Sequence, residues 1–259
     1  MASFLTYSLE QHIATVTISR PPVNALSVGL VEELWGIIGA IESSDDVRAV
    51  VITGGDEHFS AGMDIRELEK DVATDPRLAI PAARRFDQVF KRLSELKQPV
   101  ISAVNGYALG GACMLTLYCD IRIGSEGSSY GLPEIGLGGL PSFGLQRFVR
   151  AVGASQAKRL VLTGDRVDAK EALRIGLIDV LVPEGAALRE ALAIAGRIAK
   201  HPTVSVQLNK RAVDLDSELS IDLGAEINFA LADQVASTDD RREALLAFLE
   251  KREPNYVGH

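Results

Sequence analysis

Two glycine-bearing turns and one acid are the residues of this chain best suited to chemistry. The first turn is His58-Phe59-Ser60-Ala61-Gly62-Met63-Asp64-Ile65, soon after a predicted buried strand at 48–53. The second is Asn105-Gly106-Tyr107-Ala108-Leu109-Gly110-Gly111-Ala112, directly after a second such run at 99–104 and at a predicted helix start. The acid is Glu134, in Gly131-Leu132-Pro133-Glu134-Ile135-Gly136-Leu137. A helix N-terminus leaves backbone N–H groups free and carries a partial positive charge. Gly110 and Gly111 remove side-chain bulk, so a ligand can approach that backbone. A donor from Ala61-Gly62-Met63 would complete a pair, and two donors around one carbonyl oxygen make an oxyanion hole. Each donor would supply about 3 kcal/mol of transition-state stabilisation. Leu132, Ile135 and Met114 are the apolar neighbours expected to raise the Glu134 pKa by desolvation. Taken singly, each turn reads as an ordinary tight turn and Glu134 as a solvated carboxylate.

Other candidates are weaker. Gly136-Leu-Gly138-Gly-Leu-Pro141 lacks the third glycine of a dinucleotide fingerprint, and no clear strand leads into it. Leu140 occupies the first glycine position of a nucleophile elbow around Ser142. His12, His58, His201 and His259 are scattered without metal-ligand spacing, so no metal is expected. Cys113 and Cys119 lie in an apolar stretch and read as buried reduced thiols.

The elements that must hold these residues can be read from periodicity. Residues 3–8 and 12–19 alternate as a hairpin, with Glu10 and Gln11 between them. Ser27 stands where an N-cap belongs, ahead of Val28, Leu30, Val31, Leu34, Ile37, Ile38 and Ile41 at helical spacing. Helical spacing returns at 82–96, a short buried helix is expected at 111–118, and a strand at 119–123. The alternation of strand and helix points to α/β units packed side by side. After Pro141 the pattern is helical, at 142–151, 153–163, 168–175, 185–200, 202–213, 218–236 and 239–252, with one short strand at 178–182. Residues 1–200 are thus expected to form the core and residues 201–259 a helical region. The apolar Leu245, Leu246, Phe248 and Leu249 there suggest oligomer contacts.

The chain has 259 residues, 47% hydrophobic and 24% charged, enough for a sizeable core. Its 27 basic residues against 35 acidic ones argue against nonspecific nucleic-acid binding. The N-terminus lacks a basic region followed by an apolar one, and no apolar run reaches about 18 residues. A soluble cytoplasmic protein with no membrane partner is the expectation.

Together and in this order, the motifs resemble the enoyl-CoA hydratase/isomerase (crotonase) superfamily along nearly the whole chain. The resemblance is carried by Pro22-Val-Asn-Ala-Leu26, Phe59-Ser-Ala-Gly-Met-Asp-Ile65, Asn105-Gly-Tyr-Ala-Leu-Gly-Gly-Ala112, Cys119-Asp-Ile-Arg122, Pro133-Glu-Ile-Gly-Leu137 and Gln146-Arg147. Leu162-Thr-Gly164, Ala169-Lys-Glu-Ala172 and Glu250-Lys-Arg252 add to it. It implies a spiral of ββα units with a helical C-terminal region, assembled as a homotrimer or dimer of trimers. It implies an acyl-CoA thioester as substrate, with coenzyme A as part of it and no separate cofactor. It implies Glu134 as the catalytic residue and the N–H groups of Met63 and Gly111 as the oxyanion hole. CoA would be held near Asn24, Ala25, Ala61, Asp64 and Ile65, with Lys251 and Tyr256 reaching it from a neighbouring subunit. Leu68, Met114, Leu132 and Leu137 would line the acyl pocket, and the charged stretch 66–88 would wall the tail.

The chain departs from the hydratase pattern at one telling place. Hydratases of the family carry a glutamate in Gly-Gly-x-Cys-Glu, and that position is Met114. Adding water favours two acids, one to orient and deprotonate water and one to protonate carbon. Moving a double bond needs one, and the isomerase branch pairs an apolar residue at this position with a glutamate at the Glu134 position. The expected activity is therefore a shift of a 3-enoyl-CoA double bond to the 2-position. The alternatives are a hydratase that recruits Glu67 or Asp87 as second acid, another CoA-thioester reaction such as decarboxylation or hydrolysis, and an acyl-CoA-binding protein without turnover. A second departure is Ser142-Phe143, where many relatives have Pro-Gly-x-Gly.

Overall fold

The computed structural model describes residues 3–67, 69, 75, 77 and 79–258. Strands β1 (Leu5–Glu10) and β2 (Ile13–Ile18) pair antiparallel, Leu5 opposite Ile18. They turn through Gln11 and His12, both at positive φ, as a two-residue type I′ hairpin requires. The turn falls one residue later than the sequence suggests. Thr6 to Glu10 are all exposed, so β1 lacks the in–out alternation that would fix its end.

From β2 onward the large sheet is parallel. It contains β3 (Ala49–Thr53), β4 (Val100–Val104), β6 (Ile121–Ser125) and β9 (Val180–Val182), in the order β1-β2-β3-β4-β6-β9. Every residue of β3 and β4 is buried, which is why both read as unbroken apolar runs. Val50, Ile52, Val100 and Val104 face helices α1 (Val28–Glu42) and α2 (Ala79–Ser94). Ala49, Val51, Ile101 and Ala103 face the other way, onto Ala187, Ala191 and Ala195 of helix α6 (Ala187–Ala199). That four-residue spacing of small side chains lets the helix close onto the sheet. Ser27 caps α1 as expected, accepting the Leu30 N–H at 3.1 Å. Arg85 and Arg92 both lie over the Trp35 ring, 4.5 and 4.0 Å from its centre, and tie α2 to α1.

A second, three-stranded sheet is not legible in the sequence. It joins β5 (Tyr107–Leu109), β7 (Ser129–Gly131) and β8 (Arg166–Asp168). Three residues are too few to show a period of two. The short helix α3 (Gly111–Thr116) follows β5, and a 3₁₀ turn (Pro133–Leu137) follows β7. The two helices expected at 142–151 and 153–163 form one element, α4 (Leu145–Thr163), broken at Gly153 (φ 77°, ψ 155°). After α5 (Ala169–Arg174) and α6 come α7 (Thr203–Asp216), α8 (Ile221–Ala236) and α9 (Asp239–Glu250).

Candidate functional site

Register brings the second turn and the acid together. Strands β5 and β7 run parallel with Leu109 opposite Gly131, and the Gly110 N–H donates to Gly131 O at 2.8 Å. Each strand then ends in its own turn. Gly110 and Gly111 open α3, and Leu132 leads into the 3₁₀ turn that carries Glu134. The two turns touch: a Cβ placed on Gly110 would lie 2.9 Å from Glu134 Oε1. Gly110 is at φ 53°, ψ −126°, a conformation that L side chains avoid.

The first turn is stitched between two neighbours. On one side Phe59 N–H donates to Asn105 O, Ser60 N–H to Tyr107 O, and Leu109 N–H to Ser60 O, at 2.9–3.1 Å. On the other, Ala61 N–H donates to Val23 O, Leu26 N–H to Gly62 O, and Asp64 N–H to Leu26 O, at 2.8–3.0 Å. Among the described residues, the N–H groups of Met63 and Gly111 donate to no protein acceptor. They are close: a Cβ on Gly111 would sit 3.8 Å from Met63 N. Two free donors and an adjacent carboxylate can stabilise a developing oxyanion and move a proton.

Glu134 is half-buried. Its Oε2 is buried and has no hydrogen-bond partner among the described residues. Burial pushes its carboxyl above the usual range, against a smaller opposing effect of a backbone hydrogen bond. Leu132 and Met114 are buried, as expected of neighbours that desolvate it. Ile135 is not among them in that way. It is 43% exposed and lies against Gly164, on the outward side of the turn together with Gly136 and Leu137. Leu137, at the end of the turn, is 70% exposed, and in a single chain it stands apart from the buried cluster around Met114. Cys113 lies near the same carboxyl, and burial, then the Glu134 charge, pushes its thiol up to about 12. It is buried and free, as is Cys119, whose thiol burial also pushes up.

A carboxylate held this way opposes folding where it is charged. A folded pKa above the unfolded one contributes stability below the unfolded value and loses it as pH rises through the folded one. Glu134→Gln is therefore expected to raise Tm by a few degrees near pH 7.5 and to lose that advantage below about pH 4.5. Thermal melts across pH check this; a Gln variant no more stable than the parent at pH 7.5 would count against a strained carboxylate.

The remaining expected site residues fall in two places. Asn24, at φ 50°, is buried, and its Nδ2 donates to the carbonyls of Gly54 and His58 at 3.0 and 3.1 Å. Its own carbonyl accepts from Ser60 Oγ at 2.6 Å, and Ala25 O accepts from Arg20 Nη1 at 3.0 Å. Asp64 pairs with Arg20 Nη2 at 2.5 Å. Burial would raise its carboxyl, but the Arg20 hydrogen bond and backbone N–H groups outweigh it and hold it below the usual range. Ala61 is half-buried beside this loop, and Ile65 is 61% exposed. Lys251 and Tyr256 lie far along the chain, after α9. The tail there is tied back by Asp240, which accepts the N–H groups of Val257 and Gly258 at 2.7 and 3.0 Å. Leu68 lies outside the described residues, as does part of the stretch 66–88. Of the two substitute acids, Asp87 accepts from Tyr118 Oη at 2.5 Å, and Glu67 Oε2 accepts the Val28 N–H at 3.0 Å. Glu67 nevertheless lines the small cavity beside Met63.

Sequence reading gave no role in the site to three residues, of which it marked only Phe143, as a departure from the family pattern. Arg20 braces the Met63 turn through Asp64. Phe86 and Phe143 stack 5.9 Å apart beside the donors. No motif shows how they pack, because that depends on contacts between distant segments. A larger cavity of about 430 Å³ lies between α7 and α8 and contains no expected site residue. Among the described residues no His, Cys, Asp and Glu group could hold a metal, and no helix is long and apolar enough to cross a membrane.

The enoyl-CoA hydratase/isomerase family profile matches residues 8–259. The chain belongs to this family. It is 40% identical to the short-chain-enoyl-CoA hydratase of Clostridium acetobutylicum, covering 94% of this chain and 93% of that one. It is 36% identical to the 2,3-dehydroadipyl-CoA hydratase of Escherichia coli, over 99% of each. The crystal structure of the Bacillus anthracis enoyl-CoA hydratase superposes with a TM-score of 0.93 at 34% identity, covering 99% of this chain and 100% of that one. The fold is thus that of the enoyl-CoA hydratase/isomerase family, as the motifs implied.

Proposed function

We propose that this family member is an enoyl-CoA isomerase that moves a 3-enoyl thioester double bond to the 2-position. The observation that carries the reading is the composition of the cleft. Glu134 is a half-buried acid whose buried Oε2 has no partner among the described residues, beside two free N–H donors, and the position of a second family acid holds buried Met114, packed on the Gly144 backbone. Glu134 takes a proton from C2 of the substrate and returns it at C4. The thioester oxygen of the dienolate rests on the N–H groups of Met63 and Gly111. Desolvation keeps the carboxyl basic enough to accept the proton and acidic enough to give it back. CoA is part of the substrate, and its binding draws on Asn24, Ala25, Ala61, Asp64 and Ile65. Lys251 and Tyr256 would serve a neighbouring protomer's site.

Hydration is the second reading, favoured by the names of the relatives and by Glu67 on the cavity beside Met63. A spectrophotometric assay separates the two. Isomerisation of a trans-3-enoyl-CoA raises the absorbance of the conjugated thioester; hydration of 2-enoyl-CoA removes it. Gain with the 3-enoyl substrate, no loss with the 2-enoyl one, and insensitivity to Glu67→Gln support the isomerase. Loss of 2-enoyl absorbance that vanishes in Glu67→Gln sinks it in favour of a two-acid hydratase.

A homotrimer or dimer of trimers completes the proposal. Ile221 and Phe229 on α8 and Phe248 and Leu249 on α9 are 91, 73, 81 and 75% exposed, apolar side chains that a neighbouring protomer would cover. Light scattering is expected to give a multiple of three 27.8 kDa chains, and Phe248→Glu to lower that mass. A monomeric parent protein refutes the assembly.

A further inference from the structure

We infer that Phe143 closes the acyl end of the cleft and restricts this protein to short acyl thioesters. The inference rests on the reading of the cleft as an acyl-CoA site. A methyl placed on Gly111 would meet Phe143 Cζ and Met63 Cγ, both at 3.2 Å. The tip of the Phe143 ring and the Met63 side chain therefore close in on Gly111 from its Cα side and narrow the cleft beside one of the two free donors. Phe143 does not swing there freely. It is 6% exposed, stacks on Phe86 at 5.9 Å and 24°, and meets Phe90 edge-on at 5.8 Å and 71°. Phe86 meets Phe90 edge-on in turn, at 5.9 Å. Three mutually packed rings hold each other in place. Behind Phe143, Gly144 lies at φ 72° with its backbone against Met114, so the main chain there cannot easily retreat.

The cavity beside Met63, walled by the Phe86 ring on which Phe143 stacks, is small. The cavity lined by Leu26, Val28, Met63, Glu67, Ala82 and Phe86 measures about 20 Å³, room for about one water. An open apolar pocket would tighten binding by about fourfold for each methylene buried. A pocket stopped by a fixed ring gives no such gain, and a long tail must displace the stack or run outside it. Phe143 is thus a specificity-determining residue: it sets how much acyl chain the site accepts, without touching the reacting atoms.

Saturated thioesters test this independently of the reaction, since they have no double bond to move or hydrate. Butyryl-, octanoyl- and dodecanoyl-CoA would be titrated calorimetrically into the parent protein, Phe143→Ala and Phe143→Leu. In the parent, dodecanoyl-CoA is expected to bind about tenfold or more weaker than butyryl-CoA. In Phe143→Ala the longer chains gain about tenfold, while butyryl-CoA stays within about twofold. Phe143→Leu keeps an apolar filling but removes the ring tip, so it shifts the same way if the Ala variant does not fold. A parent that binds all lengths alike, or variants with the parent's length dependence, overturns the inference and leaves the acyl-CoA reading intact. Failure of all three thioesters to bind the parent overturns both.

Discussion

Glu134→Gln should lower turnover of a trans-3-enoyl-CoA by about 10³-fold, the usual contribution of a positioned proton-transfer group. The amide fills the same space and accepts no proton. Binding of a saturated acyl-CoA should change little, since in the proposed mechanism the thioester oxygen is addressed by backbone donors and not by the acid. The split between lost kcat and retained affinity is the signature of a group needed for proton transfer. In the parent protein the rate should rise with pH as the carboxyl ionises. Because burial lifts that carboxyl, the rise falls above the ordinary glutamate value of 4.5. Turnover in the Gln variant within about tenfold of the parent would mean that another group moves the proton.

Gly62→Ala is expected to be nearly as damaging by a different route. A methyl there would lie 2.5 Å from Leu109 O, a backbone atom, at a φ of 96°. Neither partner can yield as a flexible side chain would. Gly62 O accepts from Leu26 N–H, and Leu109 N–H donates to Ser60 O, so relief of the clash displaces the peptide that presents the Met63 N–H. A fall in kcat of about 10²-fold follows if one oxyanion donor is lost, with a stability loss of about 1–3 kcal/mol. Unlike Glu134→Gln, it should leave the pH dependence in place. Gly136→Ala, in the Glu134 turn with open space around it and no positive φ, is the matched control and should stay within about twofold. Full activity in a folded Gly62→Ala protein would remove Met63 from the mechanism.

The elements easiest to read were those whose burial is complete. Strands β3 and β4 are buried at every position, and α1 has a capping serine and a regular apolar stripe. Their limits fell within a residue or two of expectation. The acid and the two glycine turns were also legible, because each follows a strong strand or sits in a glycine-bearing motif. What could not be read is the device that joins them. Strands β5 and β7 have three residues each, yet their register places Gly110 beside Glu134. Likewise Ile135 looked like a neighbour that dries the carboxyl, but in the 3₁₀ turn it faces Gly164. Phe143 appeared only as a departure from a glycine-rich pattern; its packing on Phe86, far away in the chain, is what gives it a role.

One property of the Met63 and Gly111 donors bears on how such proteins diverge. Both are peptide N–H groups, and no ordinary substitution except proline deletes a peptide N–H. The part of the site proposed to steady an enolate is therefore inherited with the chain trace itself. The groups proposed to decide where a proton goes and what tail is admitted are side chains at 134, 114 and 143, each open to change in a single mutational step. Descent would then preserve the intermediate far more faithfully than the product. Two relatives 40% identical can stabilise the same kind of intermediate and still release different products.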